Sequence, residues 1–304
     1  MEYGFVGLGQ MGEPMAINLA SKHSVTVYCR NEPRREAWIK RGITAAAELR
    51  DLAAANVIFL CLPNTQVVED VLFGDGGLAE VLRPETIVFD TSTIDYQATT
   101  KIAARLAENN VEYIDAPISG MQARAEEASL TMMCGGREDL VDRLRPALST
   151  MASNVLYMGP TGSGQLMKLV NQLLFDINAA AIAEVLPLAL KLGLDPQMVA
   201  DVVNNGTGRS FASEFFIPNI LNNKFEDGYP MAAAYKDLIS GAEISAQHCI
   251  PTPVLAAATS TYQQALLAGH GDKDKGGMIC LFEDLLGVKF RSGTSEGTSD
   301  KDER

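Results

Sequence analysis

The sequence predicts an α/β fold: a doubly wound, mostly parallel sheet domain, then an all-helical domain, the two joined by a long helix. Three observations lead there. Short apolar runs alternate with amphipathic segments through the first half, a glycine-rich turn follows the first run directly, and beyond residue 162 no strand pattern recurs.

The first run, Tyr3 to Val6, opens into Gly7-Leu8-Gly9-Gln10-Met11-Gly12 and an amphipathic stretch from Met11 to Ser21. Strand, glycine turn and helix in that order form the dinucleotide-binding fingerprint: Gly7 for the tight turn, Gly9 for backbone approach to a pyrophosphate, Gly12 for helix–strand packing. The helix N-terminus then faces the phosphate charge. Further strands are predicted at Val25 to Cys29, Val57 to Leu62, Thr86 to Asp90 and Glu112 to Asp115, and a strand pair at Leu130 to Cys134 and Val155 to Tyr157. A helix at Tyr96 to Asn109 and right-handed crossovers complete the doubly wound arrangement, which is the Rossmann pattern.

After Gly159-Pro160-Thr161-Gly162 the run 165–192 reads as one helix, about 42 Å long at 1.5 Å per residue, with Pro187 as a possible kink. Helices follow at Pro196 to Asn204, Phe211 to Asn222, Ala232 to Ala246, Thr252 to Ala268 and Gly277 to Leu286. The expected domains are therefore 1–161, 162–291 and a disordered tail, 292–304, that lacks apolar side chains.

Composition narrows the function classes. A formal charge of −13 argues against a nucleic-acid surface, so an anionic ligand needs a local positive site. The five cysteines are scattered without C-x-x-C spacing, which argues against a metal or disulfide framework, and Cys134 reads as a small buried hydrophobe. No uninterrupted apolar span reaches 18 residues and no leader pattern opens the chain, so a cytoplasmic protein without membrane partners is expected.

At the second strand's end, where NAD-binding folds usually place an acid, stand Arg30-Asn31 followed by Arg34. Guanidinium groups suit a 2′-phosphate, so NADP is the expected cofactor, with NAD possible through Glu32. Leu62-Pro63-Asn64 and Thr93 follow later strands, at the carboxyl edge where the nicotinamide end belongs. Ser119-Gly120 ends another strand and offers a hydroxyl and an N–H to a substrate carboxylate. Lys168, Asn171 and Gln172 fall at i, i+3 and i+4, on one face of the long helix.

Taken together, Gly7 to Gly12 with Pro14-Met15-Ala16, Asp90 to Thr93, Asp115-Ala116-Pro117 with Ser119-Gly120, Gly162 to Lys168 with Asn171, and Lys236-Asp237 resemble the β-hydroxyacid dehydrogenase family over residues 1 to about 290. This family includes relatives of 3-hydroxyisobutyrate dehydrogenase, tartronate semialdehyde reductase and glyoxylate/succinic semialdehyde reductase. The resemblance implies a substrate site in the cleft between the domains and a homodimer or homotetramer. It also implies roles: Lys168 as the catalytic acid/base, Ser119 and Gly120 on the substrate carboxylate, Asn171 or Gln172 in support, and Lys236 on the cofactor. Hydride transfer to a carbonyl leaves an alkoxide that needs a proton, which Lys168 can supply without a metal; the reverse direction calls for a lysine pKa lowered by burial or a nearby cation.

The chain departs from that pattern after Gly120, where Met121, Gln122 and Arg124 replace glycine and small residues. Arg124 could read a second anionic group on the substrate, or pair with Glu126 or Glu127. The expected activity is an NADP-preferring interconversion of a small hydroxy acid with its aldehyde or keto acid. Imine reduction on a related scaffold and a catalytically silent, cofactor-binding oligomer are the alternatives, and retained Lys168 and Ser119 argue against both.

Overall fold

The computed structural model describes residues 1–293, which divide into two compact units, Met1–Lys168 and the residues from Leu169 onward. Of the expected tail, Ser292 donates its backbone N–H to the Leu221 carbonyl. The part beyond Gly293 lies outside the described residues.

The first unit is built on one nine-stranded sheet. Its strands are β1 (Tyr3–Val6), β2 (Val25–Tyr28), β3 (Thr44–Ala46), β4 (Val57–Leu60), β5 (Ile87–Asp90), β6 (Glu112–Asp115), β7 (Ile118–Ser119), β8 (Leu130–Gly135) and β9 (Ala152–Gly159). Six parallel strands run in the order β3-β2-β1-β4-β5-β6, the doubly wound arrangement expected from the sequence. Beyond β6 the sheet departs from a purely parallel one: β8 runs antiparallel to β6 and β7, and β9 returns parallel to β8. The short strands β3 and β7, with three and two residues, carry too little apolar pattern to be legible.

Continuous apolar strands arise because both faces of the sheet are covered. Along β4, Val57 and Phe59 join one core while Ile58 and Leu60 join the other, the period-2 alternation of a strand. The first core packs Phe5, Phe59 and Phe89 against Met15 and Leu19 of α1 (Gly12–Ala20) and against Leu144 of α6 (Glu138–Leu148). The second packs against Val68 and Leu72 of α3 (Thr65–Phe73) and Ile102 and Leu106 of α4 (Tyr96–Ala107). The remaining helices of this unit are α2 (Glu32–Lys40) and α5 (Met121–Glu126).

Helix α7 (Ser163–Lys191) begins in the first unit and continues into the second. It is long and apolar enough to cross a membrane by length and composition. Its Ala179, Ala180, Ala183 and Leu186 nevertheless belong to the core of the second unit. That core is completed by α8 (Pro196–Asn205), α9 (Phe211–Leu221), α10 (Met231–Gln247), α11 (Pro253–Leu267) and α12 (Ile279–Leu286). No strand follows β9 among the described residues, although Pro230 and Asp274 form an isolated bridge.

Candidate active site

The glycine turn follows β1 and opens α1. A Cβ on Gly7, which has φ +100°, would lie 2.2 Å from the Cys61 carbonyl oxygen, and one on Gly12 would lie 1.8 Å from the Gly7 carbonyl oxygen. The chain itself therefore requires both glycines. Gly9 differs, because a Cβ there would meet nothing within 4 Å. An open face beside a helix N-terminus, kept bare where the chain has no need of a bare residue, fits a dinucleotide whose pyrophosphate approaches the backbone closely.

At the end of β2, Arg30 is exposed and Asn31 caps α2 by accepting the Arg34 N–H at 3.0 Å. Arg34 reaches back to the turn: its Nη2 donates to the Leu8 carbonyl at 2.7 Å and to Glu13 Oε2 at 2.9 Å. Asn64 caps α3 through the Val67 N–H at 3.0 Å, with Pro63 exposed beside it. In both asparagines the side-chain oxygen is thus engaged by a helix start.

Four chain segments meet at the carboxyl edge of β4, β5 and β6. Ser92 Oγ accepts the Leu62 N–H at 2.8 Å, and Asp90 Oδ1 accepts the Ser92 N–H at 2.9 Å. Tyr113 donates its hydroxyl to Asp90 Oδ2 at 2.7 Å. Asp115 holds the start of α7, accepting the Gly162 N–H at 2.7 Å on one oxygen and the Gln165 N–H at 3.0 Å on the other. The Gln165 side chain donates to the Ser92 carbonyl at 2.7 Å and accepts the Ile94 N–H at 3.2 Å, bracketing Thr93. Lys168, half-buried, stands three residues further along this anchored helix.

Asp90, Asp115, Tyr113 and Gln165 are buried and were not singled out from the sequence as site residues. A signal was present: Asp90 closes an otherwise apolar strand and Asp115 ends the next one, and carboxylates are seldom buried without partners. Burial pushes the Asp90 carboxyl up to about 6, against the opposing pull of its bonds from Ser92 and Tyr113. Asp115 is also raised by burial, with its backbone donors pulling the other way.

Ser119 pairs with Thr131 across β7 and β8, and Gly120 turns the chain with φ +142°. Met121 follows at φ +52°, an unusual backbone state for a methionine, and is half exposed. The stem of Arg124 covers Gly120, since a Cβ on that glycine would lie 2.9 Å from Arg124 Cδ. Of its two expected partners, Glu126 is bonded by Gln122 at 2.8 Å and Glu127 accepts the Ser129 hydroxyl at 3.5 Å.

Within the second unit, Asn171 is exposed on α7 and Gln172 donates to Asp237 Oδ2 of α10 at 3.4 Å. Lys236 is exposed on α10. Among the described residues no group of three or more His, Cys, Asp and Glu side chains is placed to hold a metal. Burial pushes the Cys134 thiol up to about 12, as suits a small buried side chain.

Comparison with known proteins follows the same division of the chain. Residues 2–159 match the NAD binding domain of 6-phosphogluconate dehydrogenase, and residues 162–282 match the NAD-binding domain of NADP-dependent 3-hydroxyisobutyrate dehydrogenase. The 2-(hydroxymethyl)glutarate dehydrogenase of Eubacterium barkeri is 35% identical over 297 residues, covering 96% of this chain and 98% of that protein. The structure of Mycobacterium tuberculosis 3-hydroxyisobutyrate dehydrogenase with L-serine superposes with a TM-score of 0.82 at 30% identity, over 92% of this chain and 98% of that one. Psf3 in complex with NADP+ and 2-OPP gives a TM-score of 0.76 at 28% identity, over 92% and 99% of the two chains. With a glycine turn suited to a dinucleotide and family matches spanning both units, this chain belongs to the β-hydroxyacid dehydrogenase family of NAD(P)-dependent oxidoreductases.

Proposed function

We propose that the protein is an NADP-preferring enzyme that interconverts a small hydroxy acid and its aldehyde or keto acid, with Lys168 as general acid/base. The observation that carries this reading is the anchoring of α7: Asp115 and Gln165 fasten the helix start that bears Lys168 to the strand ends where a dinucleotide's nicotinamide end belongs. Bound there, the nicotinamide supplies or accepts the hydride.

In the reductive direction, the Lys168 ammonium gives its proton to the carbonyl oxygen as that oxygen gains negative charge, and the neutral amine is then reprotonated from solvent. Oxidation runs the same proton backwards, onto a neutral amine. Ser119 Oγ and the Gly120 N–H receive the substrate carboxylate, and Asn171 and Gln172 support it from the helix face of Lys168. The glycine turn, Leu62, Asn64, Thr93 and Lys236 serve the cofactor.

NADP preference is supported by Arg30 and Arg34 at the β2 end and by a similar protein, Psf3, that is complexed with NADP+. Arg124, whose stem covers Gly120, is proposed to read a second anionic group, as a substrate like the glutarate of the E. barkeri relative would present. Cytoplasmic location and a homodimer or homotetramer are part of the proposal, open to fractionation and light scattering.

The test is oxidation of NADPH and NADH by the purified protein with glyoxylate, succinic semialdehyde, tartronate semialdehyde and 2-formylglutarate, alongside Lys168→Ala. The expected result is turnover favouring NADPH that falls about a hundred- to ten-thousand-fold in the variant. Turnover that survives intact in Lys168→Ala sinks the assignment of that residue. An Arg124→Ala variant with unchanged KM for the dicarboxylic substrate sinks the second-anion role.

A further inference from the structure

The first turn of α1 carries a feature that a pyrophosphate site does not call for. Glu13, whose N–H bonds the Gly9 carbonyl at 3.0 Å, places a carboxylate beside the helix N-terminus that is to receive the cofactor's negative charge. Two arginines from the other side of the β2 crossover meet it: Arg34 Nη2 at 2.9 Å from Oε2, and Arg41 Nη1 at 3.4 Å from Oε1.

The atom that Glu13 takes on Arg34 matters. A guanidinium grips phosphate through a pair of parallel N–H groups, and each of its two such faces includes an Nη2 N–H, one with Nε and the other with Nη1. In this chain Nη2 is spent on the Leu8 carbonyl and on Glu13. The Leu8 bond is to a neutral backbone oxygen and fixes the side chain to the glycine turn. The Glu13 bond is to an anion and can be exchanged for another anion, because both partners are partly exposed, at 54% and 35%.

We infer that Glu13 determines cofactor specificity by competing with a nucleotide 2′-phosphate for the Arg34 guanidinium. The inference rests on the NADP reading above and deepens it. Arg34 is held oriented by Leu8 and charge-neutralised by Glu13, so a cofactor with a 2′-phosphate must displace the carboxylate. A cofactor with a free 2′-hydroxyl leaves the pair in place. Glu13 therefore lowers the discrimination between the two cofactors that the β2-end arginines would otherwise give.

The experiment is calorimetric titration of the cofactor-free protein with 2′,5′-adenosine bisphosphate and with 5′-AMP, which differ only in the 2′-phosphate. The proteins are wild type, Glu13→Gln, Arg34→Met and the double variant, each checked for an unchanged melting temperature. An exposed ion pair is worth up to about 1 kcal/mol, or roughly fivefold. The ratio of the two affinities should therefore rise about three- to fivefold in Glu13→Gln. In the Arg34→Met background the same substitution should leave the ratio unchanged.

An unchanged or lowered ratio in Glu13→Gln overturns the inference. So does an equal gain with and without Arg34, which would make Glu13 a general repulsive charge. The NADP reading fails separately: wild type would bind both probes alike, and Arg34→Met would leave that ratio near one.

Discussion

Two regions, the strand ends of the first unit and the flank of α7 in the second, bury carboxylates in different ways. In the first, Asp115 and Asp90 sit fully buried at the ends of β6 and β5, and their partners are neutral: the backbone N–H groups of Gly162, Gln165 and Ser92, and the Tyr113 hydroxyl. In the second, Asp176 on α7 is equally buried but is met by the Lys275 ammonium and by the Tyr262 hydroxyl at 3.2 Å. Its Oδ2 has no hydrogen-bond partner among the described residues. Lys275 also lies 4.4 Å above the Phe175 ring. Strand ends and helix starts carry unspent N–H groups, whereas inside a helix those groups are already used, so an acid on a helix flank depends on other side chains. A carboxylate of the first kind can fix loops around a site; one of the second kind fixes the packing of helices.

The largest expected effect comes from breaking the second arrangement on one side only. Lys275→Met strands the Asp176 charge in the core and should cost about 3–5 kcal/mol of stability, read by urea unfolding. Adding Asp176→Leu should restore wild-type stability or exceed it, because two apolar side chains then replace a desolvated pair. A single variant as stable as wild type would mean that the two arrangements do not differ in this respect.

Next in size is Asp115→Ala, which leaves the N–H groups of Gly162 and Gln165 without their acceptor. The expected loss is about 2–3 kcal/mol of stability, with kcat lowered more than NADPH affinity, because the start of α7 loosens while the glycine turn stays. Asp115→Asn keeps an acceptor oxygen and should recover part of both losses. If Asp115→Ala changes neither stability nor kcat, the anchoring of Lys168 through this acid is wrong.

The same contrast explains what could be read from the sequence. The glycine turn, the central parallel strands and the long helix were legible because each repeats a local pattern: Gly7 to Gly12 after an apolar run, and Val57 to Leu60 apolar throughout. Lys168 stands out in the sequence as a polar group in an apolar run and Ser119-Gly120 only through the family motifs, and the roles given to them rest on the proposed function. The antiparallel turn of the sheet at β8 was not, since strand direction is set by pairing partners and not by composition. Gln165, Tyr113 and Lys275 were hidden for a related reason. Each acts through a partner 23 to 99 positions away, Gln165 on Ser92, Tyr113 on Asp90 and Lys275 on Asp176.

Gln165 gives a smaller test of how neutral bonds serve the site. Gln165→Met removes the link from α7 to the Ser92 carbonyl and the Ile94 N–H while keeping the side chain's bulk. We expect kcat to fall about tenfold, equivalent to about 1.4 kcal/mol, with NADPH affinity within twofold of wild type. A primary isotope effect with NADPH deuterated at the transferred position should rise as the hydride step becomes more limiting. Equal losses in affinity and kcat would make Gln165 a general stabilising residue and not one that positions Lys168.

The smallest effect separates the two kinds of buried acid by pH. Burial raises both Asp90 and Asp176 from an ordinary value near 3.8 to about 6; the Lys275 ammonium opposes the rise for Asp176, and neutral donors oppose it for Asp90. A carboxyl whose folded pKa is raised holds its proton between about pH 4 and 6, where the unfolded chain has released it, so stability is highest below that window and declines as pH rises through 6. Urea unfolding should therefore show wild type gaining roughly 1–2 kcal/mol between pH 7.5 and 5.5, the two acids together. Asp90→Asn should remove its share, about half of that gain, since its amide is neutral at both values. Asp176→Asn should flatten it less if the ammonium keeps Asp176 ionised at pH 5.5, and equally if burial dominates over the ion pair. A wild-type protein that loses stability on acidification over this range would show that neither acid is raised, and that the neutral donors of the first unit hold Asp90 as firmly ionised as a counter-charge would.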